Sequence, residues 1–121
     1  MSDLTELVDR YIAVWNTADA DARRAAIGEL WTDNGVYVDP LFEVQGPDAI
    51  NAGIGAALAQ FVGHEIKLLG AVDAHHNTAR FRWELVPVGG GESVVEGFDV
   101  AVAENGKFSG VYGFLDKAPA A

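Results

Sequence analysis

The hydrophobic positions in the first half of the chain recur at helical spacing and predict three helices. The first runs from about Asp3 to Asn16, and its apolar residues form one stripe: Leu4, Leu7, Val8, Tyr11, Ile12 and Trp15. The second follows a polar turn and extends to about Trp31. The third begins at Pro47, because proline suits the first position of a helix. Each helix has one apolar side, so each is expected to cover a core.

Beyond residue 64 the apolar positions alternate with polar ones, which is the spacing of strands. Turn sequences such as Asn105-Gly106, which is typical of a hairpin, divide this region. The predicted strands are Glu65–Val72, Ala79–Val88, Ser93–Ala103 and Phe108–Leu115. Helices followed by antiparallel strands predict an α+β fold. We expect a curved antiparallel β-sheet covered by the three N-terminal helices, with a conical cavity between them.

Composition narrows the class of protein without naming a function. The chain has 121 residues, of which half are hydrophobic, a formal net charge of -10 and no cysteine. The acidity makes nucleic acid an unexpected partner, since phosphate recognition needs clustered Lys and Arg. No apolar run approaches the roughly 18 residues that cross a membrane, and no signal peptide is recognisable. We expect one domain over residues 1–121, in the cytoplasm, with a neutral or cationic small molecule as its ligand.

No motif for a metal ion or a cofactor is recognisable. The pair His75-His76 could bind a metal or move protons, but a hairpin tip is the simpler interpretation. The run Gly89–Gly91 does not precede a helix, so it is a turn and not a phosphate-binding loop. We therefore expect no metal and no cofactor.

One candidate for chemistry is Asp39, at the end of a short apolar strand. Alternation places Tyr37 and Asp39 on one side of this strand and Val36 and Val38 on the other. A carboxylate before Pro40 is either a turn acceptor or a functional group, because an aspartate before a proline commonly begins a turn. The residues around Asp39 leave both interpretations open.

Two further candidates are Asp99 and Tyr11. Asp99 lies in the segment 94–102, the most hydrophobic setting of any acid in the chain. Burial would raise its pKa and favour the neutral acid, which donates a hydrogen bond. Alternatively, Asp99 accepts hydrogen bonds from the backbone or pairs with an arginine such as Arg82 on another strand. Tyr11 lies in the first helical stripe, so its ring should be buried and its hydroxyl should have a partner.

The order of these elements resembles the nuclear transport factor 2-like superfamily, and within it the small SnoaL-like proteins. The similarity covers about residues 4–115. It is carried by five short segments: Tyr11–Asn16, Val38–Pro40, Gly46–Ile50, Arg82-Trp83 and Gly97–Val100. The resemblance implies a cystatin-like roll and a single SnoaL-like domain. It leaves function open, because this fold hosts both enzymes and binding proteins.

Ketosteroid isomerase, an enzyme of the same fold, has three site residues whose types are matched in this chain. Its tyrosine after an arginine corresponds to Tyr11, its base before a proline to Asp39, and its protonated strand acid to Asp99. The resemblance implies that Asp39 takes a proton beside a carbonyl group, while Tyr11 and neutral Asp99 hydrogen-bond the enolate oxygen. The third helix departs from that family, because it carries Ile54-Gly55 and no supporting tyrosine.

Two other activities of the fold bear on the same positions. In SnoaL-type polyketide cyclases an aspartate of this region does acid–base work in an aldol closure, and Asp99 could match it. The limonene epoxide hydrolase type has an arginine two residues before its late-strand aspartate. This chain has Gly97 there, which excludes that type.

These residues together predict a cofactor-independent isomerase or cyclase acting on a small, neutral, apolar carbonyl compound. The alternative is a non-catalytic protein of the same fold that binds a hydrophobic ligand, and a dimeric interaction module with a vestigial pocket is a third class. The aromatic residues expected to bind substrate are Trp15, Trp31, Phe61, Phe81 and Trp83. A homodimer is expected through the outer sheet face, which carries Arg80, Arg82, Glu84, Tyr112 and Phe114.

Overall fold

Residues 4–119 are described by the structure, a computed structural model, and they form three helices and six strands. The helices are α1 (Leu4–Trp15), α2 (Ala20–Leu30) and α3 (Pro47–Gln60). The strands are β1 (Trp31–Val38), β2 (Glu43–Gln45), β3 (His64–His75), β4 (Thr78–Pro87), β5 (Val95–Glu104) and β6 (Lys107–Lys117). Asp3, where the first helix was predicted to begin, lies outside the described residues.

The six strands form one curved, unclosed sheet in the order β2-β1-β6-β5-β4-β3. Neighbouring strands are antiparallel except β1 and β6, which are parallel. The predicted α+β class, with three helices and a curved, mostly antiparallel sheet, is therefore confirmed. The parallel pair was not predicted, because β6, the partner of β1, lies far away from it in the sequence.

The junction between α2 and β1 is abrupt and lies within one residue of the predicted end of the helix. The helix ends at Leu30, and Trp31 already has extended backbone angles. The turn-like Asp33-Asn34-Gly35 lies within β1, where the pairing with β6 shifts register between Trp31 and Val36. Here strand pairing across an irregularity outweighs the local turn preference of these residues.

Two polar side chains fix the helices to the rest of the fold. Asn16, just after α1, accepts a hydrogen bond from the backbone N–H of Ile66 (2.8 Å) and donates one to its carbonyl oxygen (2.9 Å), so it pairs with edge strand β3 as another strand would. Arg23 of α2 is buried and donates to Asn51 of α3 (2.6 Å) and to the carbonyl oxygen of Thr17 (3.0 Å). The Asn16 bonds hold the end of α1 against β3, and the Arg23 bonds join α2 to α3 and to the segment after α1.

The core lies between the helices and that inner face. Its fully buried side chains include Val8, Ile27, Leu30, Trp31, Ile50, Ile54, Phe81, Phe108 and Val111. Trp31 and Phe81 belong to this core and each packs its ring against the ring of Tyr11, with centroids 5.7 Å and 5.5 Å away. Among residues 4–119, no helix is both long and apolar enough to cross a membrane.

Candidate functional site

A cavity of about 590 Å³ lies between α1, α3 and the inner face of the sheet. Most of its wall is apolar, and its polar side chains include two tyrosines and two aspartates. The wall is formed by Tyr11, Trp15, Tyr37, Asp39, Leu41, Ala57, Leu58, Gln60, Phe61, Ile66, Trp83, Leu85, Val95, Asp99, Gly113, Phe114, Leu115, Ala118 and Pro119. None of these residues is basic, so the described wall offers no cation to pair with an anionic ligand.

Asp99 lies in the cavity wall on β5 and is only 1% exposed. The Tyr11 hydroxyl donates to its Oδ2 over 2.6 Å, and the Trp83 indole Nε1–H donates to its Oδ1 over 2.9 Å. Trp83 is on neighbouring strand β4, opposite Gly97. A Cβ added at Gly97 would lie 2.8 Å from the indole ring, so this glycine makes the room that lets Trp83 reach Asp99.

The environment of Asp99 raises its pKa from the usual 3.8 to about 6. Burial is the main cause, because desolvation disfavours the carboxylate, and the nearby charge of Asp39 adds to the rise. The hydrogen bonds from Tyr11 and Trp83 oppose it, since they stabilise the charged form. Arg82, the predicted alternative partner, instead faces Glu96 at 3.9 Å. Asp99 is therefore a buried acid bound by neutral donors and not a member of an ion pair.

Asp39 lies in the same wall, where β1 gives way to a turn. Its Oδ2 accepts the hydroxyl of Tyr37 (2.7 Å), and its Oδ1 accepts the backbone N–H groups of Leu41 (2.8 Å) and Phe42 (3.0 Å). Both interpretations of the sequence therefore have a structural counterpart, because the carboxylate closes a turn and also borders the cavity.

The hydroxyl groups of Tyr11 and Tyr37 each donate to one of the two carboxyl groups, Tyr11 to Asp99 and Tyr37 to Asp39. Burial raises the pKa of both tyrosines, and the charge of Asp99 raises each further. An interaction with the Tyr11 hydroxyl opposes the rise in the pKa of Tyr37. The Trp15 indole N–H similarly opposes the rise in the pKa of Tyr11, although it has no partner of hydrogen-bond geometry among residues 4–119.

The structure brings the three predicted catalytic residues, Asp39, Asp99 and Tyr11, to one cavity. Of the five aromatic residues predicted to bind substrate, Trp15, Phe61 and Trp83 line it. Trp31 and Phe81 are not among the residues of the wall and lie in the core instead. Trp31 is 0% exposed and Phe81 2%, because the helices and Tyr11 cover the part of the sheet where they lie.

Tyr37 and Gly113 are the two site residues that the sequence analysis missed. For Tyr37 a signal was present, since alternation along β1 places it on the side of Asp39. Gly113 carries no such signal, because its importance comes from Asp99, its pairing partner on β5. Among the described residues, no cluster of three His, Asp or Glu side chains could hold a metal ion.

A curved, unclosed sheet covered on one face by three helices, with a largely apolar cavity between them, defines the α+β fold class of this protein. The chain belongs to the SnoaL-like domain family, whose sequence model matches residues 8–111. No match is found among curated protein sequences.

Several solved structures share the fold. A proposed isomerase of the SnoaL-like family from Agrobacterium tumefaciens strain C58 is 38% identical, with a TM-score of 0.86 over 92% of this chain and 95% of that one. A proposed polyketide cyclase from Sinorhizobium meliloti is 18% identical, with a TM-score of 0.70 over 89% and 93% of the two chains. A proposed ketosteroid isomerase from Kribbella flavida is 17% identical, with a TM-score of 0.69 over 97% and 80%.

Proposed function

We propose that the protein is an enzyme that transfers a proton next to the carbonyl group of a small, largely apolar compound, as a cofactor-independent isomerase or cyclase. The observation that carries this proposal is Asp99, a buried carboxyl group in the wall of an apolar cavity. Its pKa of about 6 suits a group that takes and returns a proton near neutral pH. The convergence of Tyr11, Tyr37 and Asp39 on the same cavity favours an enzyme over a simple binding protein.

The hydrogen bonds favour Asp99 over Asp39 as the base, which reverses the roles implied by the resemblance to ketosteroid isomerase. Asp39 accepts three hydrogen bonds, two of them from the backbone of its own turn, so moving it would open that turn. Asp99 accepts two, both from side chains that also line the cavity. Desolvation raises the pKa of Asp99, which makes its carboxylate a better proton acceptor than an ordinary aspartate.

In the proposed reaction, the Asp99 carboxylate removes a proton from the carbon next to the substrate carbonyl. The electrons of the broken C–H bond move into the carbonyl group and give an enolate. The protonated Asp99 then donates to the Tyr11 oxygen, which frees the Tyr11 O–H to turn toward the enolate oxygen. In an isomerase Asp99 returns the proton to a different carbon. In a cyclase the enolate carbon attacks a second carbonyl group, and the alkoxide that forms takes the proton back from Asp99.

Hydrogen–deuterium exchange provides a test that needs no knowledge of the natural substrate. Apolar ketones such as 2-tetralone are incubated with the protein in D2O, and loss of the α-proton signal is followed by NMR. Wild type should accelerate exchange, Asp99→Asn should abolish the acceleration, and Asp39→Asn should keep part of it. Full activity in Asp99→Asn together with loss in Asp39→Asn would restore the opposite assignment of roles.

The apolar wall also favours a second candidate function, the binding of a hydrophobic ligand without catalysis. Trp15, Phe61 and Leu58 form such a wall around the space below α1 and α3. In that case ketones would bind to wild type without any exchange, and Asp99→Asn would bind them with unchanged affinity. Tryptophan fluorescence measures the binding directly, because Trp15 and Trp83 both line the cavity.

A further inference from the structure

One position in the cavity wall, Gly113 on β6, has no side chain between the two carboxyl groups, and an added Cβ there would already crowd Asp99. A Cβ added there would lie 2.8 Å from Asp99 Oδ1, 3.5 Å from Asp39 Cβ and 3.5 Å from the Tyr37 hydroxyl oxygen. Gly113 is absent from the residues with positive φ, so its backbone does not require glycine. The missing side chain therefore matters for space and not for conformation.

The space in front of Gly113 borders both halves of the polar end of the cavity. On one side lies Asp99 with its donors Tyr11 and Trp83, and on the other lies the Tyr37–Asp39 pair. A side-chain carbon at position 113 would contact Asp99, Asp39 and Tyr37 at once. Any larger residue at 113 would occupy this space with its own side chain and crowd Asp99 Oδ1.

We propose that Gly113 is a specificity-determining residue that keeps open the position where the reacting group of the substrate binds. The apolar part of the substrate then lies along the remaining wall, away from the two carboxyl groups. This inference rests on the proposed function, because it places the reacting carbon beside Asp99. The inference adds that the selection of substrates depends on a glycine in a strand, a residue that has no side chain with which to make a polar contact.

The test compares Gly113→Ala with Gly110→Ala, a control on the same strand. The atoms nearest to a Cβ at position 110 belong to the Tyr112 side chain, which does not line the cavity. Three probes are used: exchange of 2-tetralone, binding of 2-naphthol as a planar mimic of an enol, and binding of the neutral apolar dye Nile red. In Gly113→Ala, exchange and naphthol affinity should each fall by about a hundredfold, as expected for a misplaced reacting group. Nile red affinity should stay the same, and Gly110→Ala should match wild type with all three probes.

Unchanged exchange and naphthol binding in Gly113→Ala would overturn the inference and leave the proposed function standing. Wild type that binds naphthol but exchanges no ketone would instead remove the proposed function. If Gly113→Ala then also lost naphthol binding, the role of Gly113 in selecting the ligand would still stand, without any role in catalysis.

A measurement on wild type alone covers the case in which Gly113→Ala fails to fold. Bound 2-naphthol should show nuclear Overhauser contacts to the Gly113 α-protons and should shift the Asp99 carboxyl carbon. Contacts confined to Phe61 and Leu58 would overturn the inference.

Discussion

The Tyr11 hydroxyl and Asp99 Oδ2 are joined by a 2.6 Å hydrogen bond across 88 positions of sequence. The bond links the first helix to the fifth strand at the place where the cavity wall is polar. It exists only when α1 lies over the sheet, so the chemistry of Asp99 depends on the packing of a helix.

Asp99 should make the stability of the protein fall with rising pH. Its folded-state pKa of about 6 lies above the unfolded value of 3.8, so the folded protein holds the proton more strongly. The resulting penalty should grow between about pH 4 and pH 6 and level off above that range. Asp99→Asn cannot ionise and should be more stable than wild type at neutral pH by about 1–3 kcal/mol, measured by urea denaturation.

The same variant should match wild type more closely at pH 4, where Asp99 is protonated in the folded state. Asn can meet both neighbours, since its carbonyl oxygen accepts from Trp83 and its amide donates to Tyr11. A stability difference that does not change with pH would show that Asp99 is not the titrating group.

Trp83→Phe should raise the pKa of Asp99 further, because it removes a donor that stabilises the carboxylate. Since the base must be ionised to act, the acidic limb of the kcat/KM profile should move to higher pH. Trp15→Phe is the matched control, because it changes an aromatic residue of the same cavity that does not donate to Asp99. Carbon-13 titration of the Asp99 carboxyl group measures the shift in each variant, and equal profiles for the two would contradict the role given to the Trp83 N–H.

Asn16→Ala should destabilise the protein by about 1–3 kcal/mol, because it leaves both backbone groups of Ile66 without their partner. The control is Thr17→Ala, which removes a hydrogen bond to the carbonyl oxygen of Ala13 at the same end of α1. If Asn16 positions α1, its loss should also weaken the Tyr11–Asp99 contact and lower ketone exchange. A variant with Asn16→Ala that unfolds at the same urea concentration as Thr17→Ala would rule out this attachment.

We propose that the outer face of the sheet joins two copies of the chain. Phe98 and Phe114 stack there with centroids 5.0 Å apart, and Phe114 is 51% exposed. Tyr112 is also exposed on this face, and Arg82 lies beside the stack through its pairing with Phe98. Sedimentation at micromolar concentration should give a dimer for wild type and a monomer for Tyr112→Glu.

The matched control for the dimer is Val88→Glu, which changes an exposed apolar residue beyond the end of β4 and should leave the dimer intact. A wild-type monomer at that concentration would remove the proposed interface.

Much of the fold could be predicted because the spacing of apolar residues within each helix or strand is a property of a short stretch of sequence. The helical stripe of α1 and the alternation along β4 and β5 indicate which side of each element is buried, and so Asp99 was expected inside. How far the cavity extends along that inner side depends instead on residues that are distant in the sequence. Phe81 alternates correctly but lies beneath Tyr11, whereas Trp83, two residues later, lies in the cavity wall.

The hydrogen-bond partners of the two carboxyl groups were likewise beyond prediction from the sequence pattern. Tyr37 could be placed beside Asp39 from alternation, but its hydrogen bond depends on how the strand end bends. The Trp83–Asp99 bond needs both the pairing of β4 with β5 and the glycine at position 97. Pairing register and close approach between strands are properties of the assembled sheet, which the order of residues along one strand does not contain.

The parallel pairing of β1 with β6 has a consequence for how the protein is made. Asp39 lies at the end of β1, and Asp99 is on β5, and only β6 stands between these two strands in the sheet. During ribosomal synthesis both carboxyl groups emerge before β6 does, so the nascent chain holds two strands with unpaired edges and no joined site. Insertion of β6 then closes both edges and brings the two carboxyl groups into a common wall, so the polar end of the cavity forms only once β6 is in place.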